Sequence, residues 1–550
     1  MERRAMTHLD PASPTPLLRV ENLTVALPGG MDRRHAVENV SFELMAGEIL
    51  CIIGESGSGK SVTANAVMGL LPSALTVESG RIRLKDTDLI GASARELRSL
   101  RGRIVSIVFQ DPLSALNPLM TIGDQIVEVM DAHPAEAPRD REARVLELLA
   151  EVGLPDPATL RHQYPFRLSG GQRQRVMIAI ALALDPDILI ADEPTTALDV
   201  TTQAQILELI ASLQKRKNMG VMFITHDFGV VADIADRVIV MEKGSMVEQG
   251  SAKAVLDTPA HPYTKRLIAA VPKMRTADRA LSAEAPVVLE VKDLSKTFRL
   301  SGSFFGKARE LKAVDGVSFD VRKGRTVGIV GESGSGKSTL GRLVMKLMPS
   351  DGGEIRFDGR DVAHMPEPEF RRLRPYIQMI FQDPFASLNP RMTIGRVLTV
   401  GPMAHGVSRH DAEAKALRLL SLVGLEAGAF ERFPHQFSGG QRQRIGIARA
   451  LMFDPVLIVA DEAVSALDVS IQAQILDLLE TVQAETGVAM IFITHDLRVA
   501  SRLCDEVGVM HRGRMVEFGP PSQILHTPSH AYTRQLIAAI PGGEWEANAA

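Results

Sequence analysis

The string GESGSGKS occurs twice in this chain, at 54–61 and again at 331–338. Each copy follows a short apolar run, ILCII at 49–53 and TVGIV at 326–330, and precedes a helix-compatible stretch at 61–71 or 338–348. Strand, Gly-rich turn and helix form the context in which this spacing grips phosphate. Successive backbone N–H groups converge on phosphate oxygens, and the helix turns its positive dipole end to the same place. Glycine is needed where the backbone passes within contact distance of the ligand. Lys60 and Lys337 supply a charge for the outer phosphates, and Ser61 and Ser338 offer a hydroxyl to Mg²⁺. The candidate phosphate-binding loops are completed by Gly54, Glu55, Ser56, Gly57, Ser58, Gly59 and Val62, and by Gly331, Glu332, Ser333, Gly334, Ser335, Gly336 and Thr339.

The duplication extends far beyond the loop. Ser169 recurs at Ser438, Glu193 at Glu462, His226 at His495 and Tyr263 at Tyr532, each 269 residues on. That period is too long for a solenoid repeat and describes a duplicated domain. A polar, Ala-rich stretch at 273–286 without strand pattern reads as the linker between the halves. The boundaries expected are a flexible tail at 1–16, a first nucleotide-binding domain at 17–257 with an extension at 258–272, the linker at 273–286, a second domain at 287–526 with its extension at 527–541, and a tail at 542–550.

Composition narrows the class. A formal net charge of −4 over 550 residues argues against a strongly basic nucleic-acid binder. Cys51 and Cys504 sit far apart in apolar, strand-like runs and read as small buried hydrophobes, in keeping with a reducing compartment. The first residues lack the apolar core of a secretory signal. Apolar runs such as that at 176–184 are about half the ~18 residues that mark a membrane helix, so any membrane connection is expected to go through a partner.

Two further buried-strand patterns recur in each half. One ends in acids, at Asp192-Glu193 and Asp461-Glu462; the other precedes His226 or His495. Apolar strands alternating with helical segments predict an α/β fold with a mostly parallel sheet. Alternating stretches at 18–42 and 288–319 predict an antiparallel β subdomain. The helical pattern at 111–165 and 383–434 predicts a helical subdomain. Asp192 and Asp461, ending buried strands, are placed to hold Mg²⁺ through its water shell. Glu193 and Glu462 are placed to orient or deprotonate an attacking water.

The segments LSGGQ at 168–172 and FSGGQ at 437–441 resemble the signature of ATP-binding-cassette proteins, the most specific short motif in the chain. The remaining cassette motifs match as well: Q-loop glutamines Gln110 and Gln382, ALD segments at 197–199 and 466–468, and switch histidines His226 and His495. The resemblance covers roughly 17–272 and 287–541. It implies two tandem P-loop NTPase domains of the cassette type, with ATP and Mg²⁺ as cofactors and Gln110 and Gln382 as additional Mg²⁺ ligands. It also implies that the halves pair head to tail within the one chain. Lys60, Asp192, Glu193 and His226 would then share an ATP with Ser438, Gly439, Gly440 and Gln441. Lys337, Asp461, Glu462 and His495 would share the other with Ser169, Gly170, Gly171 and Gln172. The family stacks an aromatic on adenine near the end of the first strand; Phe298 stands there in the second half, and Leu27 in the first.

A narrower resemblance follows each cassette. TPAHPYTKRLIAAVP at 258–272 and TPSHAYTRQLIAAIP at 527–541 look like the C-terminal extension of the peptide/nickel importer class. Fused two-cassette chains of that class include the glutathione-importer type. The extension itself reads as a cap that closes the cassette, with no ligand role. The resemblance implies an ATPase subunit at the cytoplasmic face of the plasma membrane, energising import through two transmembrane permease subunits and a solute-binding protein, with no nucleic acid. The competing readings are a soluble two-cassette ATPase acting on ribosomes or DNA and a fused sugar-importer ATPase. The short linker, mild acidity and two intact motif sets stand against both. Phe304-Phe305, on a Gly/Ser-rich turn of the second half, reads as a hairpin tip.

Overall fold

The computed structural model describes residues 15–31, 33–196, 198–274, 285–300, 309–383, 386–465, 467–543 and 545. Most of the expected linker, nearly all of the N-terminal tail, Phe304-Phe305 and the alanines of both ALD segments lie outside the described residues. Residues up to 269, apart from 199–201, make up one compact unit, and residues from 270 onward the second.

In the first unit the strands are β1 (Leu18–Ala26), β2 (His35–Leu44), β3 (Ile49–Ile53), β4 (Thr76–Leu84), β5 (Thr87–Asp88), β6 (Val105–Val108), β7 (Ile188–Asp192), β8 (Gly220–Thr225), β9 (Arg237–Glu242) and β10 (Ser245–Ser251). They form two sheets, ordered β2-β1-β4-β5 and β10-β9-β3-β8-β7-β6. The second unit repeats this with β11 (Val287–Leu300), β12 (Arg309–Arg322), β13 (Thr326–Val330), β14 (Gly352–Phe357), β15 (Arg360–Asp361), β16 (Ile377–Ile380), β17 (Leu457–Asp461), β18 (Ala489–Thr494), β19 (Glu506–His511) and β20 (Arg514–Gly519). Its sheets run β12-β11-β14-β15 and β16-β17-β18-β13-β19-β20.

The larger sheet of each unit is parallel except at its last pair, β9 with β10 and β19 with β20. Every residue of β3, β7, β13 and β17 is buried. Strands of a parallel sheet are covered on both faces, which is why these read as unbroken apolar runs. The smaller sheet is antiparallel and alternates: Leu18, Val20, Leu23 and Val25 turn inward. The phase slips between Val20 and Leu23, where the register shifts and Asn22 takes φ 48°. This irregularity returns Leu23 to the buried face; Asp293, φ 47°, accompanies the same slip between Val291 and Leu294. The helical segments pack as a group in each unit, Ile122–Ala132 and Arg141–Glu151 on Gly170–Ala181, and Ile394–Ala404 and Arg409–Leu422 on Gly439–Leu451.

Two expectations need correction. The helices after the Gly-rich loops are shorter than the sequence pattern, spanning Lys60–Val67 and Lys337–Val344. The first stops because Gly69 turns left-handed at φ 61°. Arg101 then takes up two end carbonyls, its Nε donating to Met68 O at 2.8 Å and its Nη2 to Gly69 O at 2.7 Å. The second stops where Lys346 reaches φ 48°. Cys51 is buried in β3 as expected, but Cys504 caps the helix Leu497–Leu503 instead of lying in a strand. A Cβ on Gly328 of β13 would lie 2.7 Å from its sulfur.

Candidate active site

The Gly-rich loops leave β3 and β13 at Gly54 and Gly331, with φ 152° and 149°. A Cβ on Gly54 would stand 2.2 Å from the Met241 carbonyl oxygen, and one on Gly331 2.3 Å from that of Met510. Only glycine fits there. Gly59 and Gly336 are left-handed N-caps for the following helices, with no side chain satisfying the first N–H groups. Such uncapped donors are a ready site for an anion. Ser56 and Gly57, like Ser333 and Gly334, form the exposed tip, whereas Ser58 and Ser335 are buried beneath it. Glu55 and Val62, and Glu332 and Thr339, are half-buried at its flanks. Lys60 is folded back under the loop, its Nζ donating to Gly54 O at 2.7 Å and Glu55 O at 2.9 Å. Lys337 does the same to Gly331 O at 2.7 Å and Glu332 O at 2.8 Å.

Asp192 closes β7 and Asp461 closes β17. Ser61 Oγ donates to Asp192 Oδ1 at 3.0 Å, and Ser338 Oγ to Asp461 Oδ1 at 2.9 Å. Burial pushes both aspartates above the usual carboxylate range, against the pull of those serine bonds. The next residue, Glu193 or Glu462, turns left-handed at φ 46° or 47°, and its N–H donates to the carbonyl of Ile224 or Ile493. Glu193 Oε2 accepts from Gln110 Nε2 at 2.9 Å and Thr196 Oγ1 at 3.0 Å, with His226 Nδ1 3.4 Å away. Glu462 Oε2 accepts from Gln382 Nε2 at 2.7 Å, and His495 Nδ1 lies 3.9 Å from its other oxygen. Burial disfavours the charge on both glutamates. The neighbouring histidine and lysine outweigh it and hold them below the usual range, so both carboxylates are ionised at neutral pH. Each unit therefore gathers lysine, serine, aspartate, glutamate, glutamine and histidine from segments up to about 170 residues apart into one site.

The SGGQ segments start helices. Ser169 caps Gly170–Ala181, its Oγ accepting from Gln172 N at 3.3 Å while Gln172 Oε1 accepts from Ser169 N at 3.0 Å. Ser438 and Gln441 form the same reciprocal pair before Gly439–Leu451, a capping box. The second glycine of each segment also has a packing reason: a Cβ on Gly171 would lie 2.5 Å from Thr202 Cγ2, and one on Gly440 2.4 Å from Ile471 Cγ2.

Residues 37–196 and 314–465, together more than half of the chain, match the family model described as ABC transporter. The chain belongs to the ABC transporter family. Residues 247–307 and 516–547 match the oligopeptide/dipeptide transporter C-terminal region. The chain is similar to the glutathione import ATP-binding proteins GsiA of Shigella dysenteriae, 46% identical over 98% of this chain and 92% of that protein, and of Escherichia coli K12, 45% identical over the same shares. A solved dimer of the cassette MJ0796 bound to ADP and Pi aligns with 42% of this chain and 98% of its own length at 28% identity, with a TM-score of 0.39. By the family match and the likeness to import ATP-binding proteins, each unit is an ATP-binding cassette of the ATP-hydrolysing kind. Among the described residues no helix is long and apolar enough to cross a membrane.

The cassettes differ on the expected adenine side. Phe298 lies near the end of β11, 36% exposed, with Lys296 Nζ 6.0 Å above its ring. Leu27 follows β1, its N–H donating to Arg34 O. The extensions hold residues that sequence reasoning missed. Tyr263 Oη accepts from the N–H of Glu55 at 3.2 Å, and Tyr532 Oη from that of Glu332 at 3.0 Å. The cap reading therefore understates the extension, which touches the phosphate loop itself. The available signal was the pair HPYT and HAYT at 261–264 and 530–533, where the tyrosine repeats although its neighbour changes.

Proposed function

We propose that this chain is the ATPase subunit of an importer for peptides or similar small solutes. It would work at the cytoplasmic face of the plasma membrane with two transmembrane permease subunits and a solute-binding protein. The observation that carries this reading is the full-length likeness to glutathione import ATP-binding proteins. The matched extensions support the same class.

In each cassette the loop N–H groups and Lys60 or Lys337 would bind the phosphates of ATP. The lysine needs only to exchange its two carbonyl partners for phosphate oxygens. Ser169, Gly170, Gly171 and Gln172, with Ser438, Gly439, Gly440 and Gln441, are proposed as a second set of phosphate contacts. Ser61 Oγ and Asp192 Oδ1, 3.0 Å apart, are a hard-oxygen pair suited to Mg²⁺, with the Gln110 amide as a third group; Ser338, Asp461 and Gln382 repeat them. Mg²⁺ usually keeps waters and substrate phosphates as its other ligands, and among the described residues no cluster of three or more His, Cys, Asp or Glu makes a protein-only cage. When bound, the metal would neutralise charge on the phosphate oxygens. Glu193 and Glu462, ionised and held by glutamine and histidine, would orient the attacking water and take its proton. His226 and His495 would steady that carboxylate as its charge changes.

The combined variant Glu193→Gln with Glu462→Gln should still bind ATP while hydrolysis falls by about 10²–10⁴-fold, read as phosphate release beside nucleotide retention. Normal turnover would remove the catalytic assignment. Purification of the tagged chain from detergent-solubilised membranes should bring two multi-span permeases with it; ribosomal proteins in their place would end the import reading.

A further inference from the structure

We infer that Tyr263 and Tyr532 are positioning residues for ATP, through which each C-terminal extension sets the first peptide group of the phosphate loop. The inference rests on the proposed nucleotide role of those loops.

The peptide joining Gly54 to Glu55 is held at both ends. Its N–H donates to Tyr263 Oη at 3.2 Å, and its carbonyl, Gly54 O, accepts from Lys60 Nζ at 2.7 Å. The peptide joining Gly331 to Glu332 is held the same way, by Tyr532 at 3.0 Å and Lys337 at 2.7 Å. The arrangement thus recurs in both cassettes, across 208 and 200 residues of sequence. Both tyrosines are buried, 3% and 5% exposed. Burial and the adjacent glutamate push their ionisation well above the ordinary tyrosine range, so the hydroxyl stays neutral and able to accept.

The tyrosines are themselves fixed. Glu248 of β10 accepts from the N–H groups of Ala260 and His261 at 2.7 and 3.1 Å. Glu517 of β20 accepts from those of Ser529 and His530 at 2.8 and 3.2 Å. His261 Nδ1 and His530 Nδ1 then accept from the N–H of Tyr263 and Tyr532. The ring of Tyr532 also stacks on His511, with centroids 4.0 Å apart and 13° between planes. A strand-edge glutamate, a histidine and a tyrosine hydroxyl therefore connect the extension to the loop peptide.

When the lysine leaves its carbonyl for phosphate, the tyrosine remains as the grip on that peptide. Without the hydroxyl, the peptide loses the hydrogen bond that holds its N–H and keeps only the lysine, which ATP draws away, so ATP must order that peptide on binding. Preorganisation of this kind acts on affinity. By linkage, ATP must in turn tighten the docking of the extension.

The test is the full chain carrying Tyr263→Phe with Tyr532→Phe, which removes two oxygens and keeps both rings. KM for ATP, with Mg²⁺ present, should rise about tenfold while kcat stays within about twofold, the size expected for one lost hydrogen bond. Unchanged KM overturns the inference, and so does a fall in kcat alone. A lowered melting temperature of the nucleotide-free chain with parallel loss of both parameters also overturns it, since that describes support of the fold only. Hydrogen exchange on the unsubstituted chain gives a reading independent of any variant. Adding ATP should slow exchange in the helices Pro262–Ala269 and Ala531–Ala538, and no slowing there overturns the coupling. If the unsubstituted chain binds no ATP at all, the proposed function itself fails, an outcome separate from these.

Discussion

Gly54 and Gly57 belong to one loop but answer to different constraints. Gly54 has no room for a Cβ, which would stand 2.2 Å from a backbone oxygen, whereas nothing lies within 4 Å of a Cβ on Gly57, where only the φ of 75° disfavours a side chain. Gly57→Ala should therefore cost about 1–2 kcal/mol, the left-handed penalty. Gly54→Ala should displace the loop from β9 and abolish ATP binding. Urea titration and fluorescent-nucleotide binding check the pair; equal stability of the two variants would show that the Met241 contact does not constrain the loop. At this scale most of the candidate site was legible, because lysine, serine, aspartate and glutamate stand at fixed offsets from strand ends. Thr196, whose hydroxyl holds the Glu193 carboxylate, was not, because nothing in its local spacing marks a contact.

At the scale of elements, the extension depends on two carboxylates. Burial raises the cost of charge on Glu248 and Glu517, but hydrogen bonds from the extension outweigh it and hold both below the usual glutamate range. A carboxylate depressed in the folded state stabilises it above its unfolded pKa, and the contribution is lost as pH falls through the folded value. Docking of the extensions should thus be intact at neutral pH and weaken only below about pH 4.5. Limited proteolysis by an acid-active protease should show cleavage near 258–262 and 527–531 rising in that range in the unsubstituted chain, and already at neutral pH in Glu248→Gln with Glu517→Gln. Resistance of that variant at neutral pH would assign the docking to apolar packing of Leu267 and Leu536 instead. Strand and helix identities were readable from apolar runs and periodicity. Their ends were not: the helix after each loop stops early because Gly69 and Lys346 turn left-handed, and the bulge at Asn22 re-phases β1.

Across the whole molecule, each unit carries its own buried residues, and Phe223 and Phe492 are the matched, fully buried aromatics of β8 and β18. Phe492→Ala should destabilise the second unit by about 3–5 kcal/mol through the cavity it leaves. Pulse proteolysis in urea should then lose fragments of residues beyond 270 first, with those of the first unit unchanged; simultaneous loss would mean the two cores unfold as one. The sequence alone determined the duplication, the α/β class, the phosphate loops and the paired acids, since each of these is written in spacing that local backbone geometry enforces. Tertiary structure decided the rest. It placed Gln110 and His226 on one glutamate and brought a tyrosine in the extension to a peptide 208 residues away. Contacts across such separations are fixed by how sheets and helices pack, and no periodicity along the chain records them.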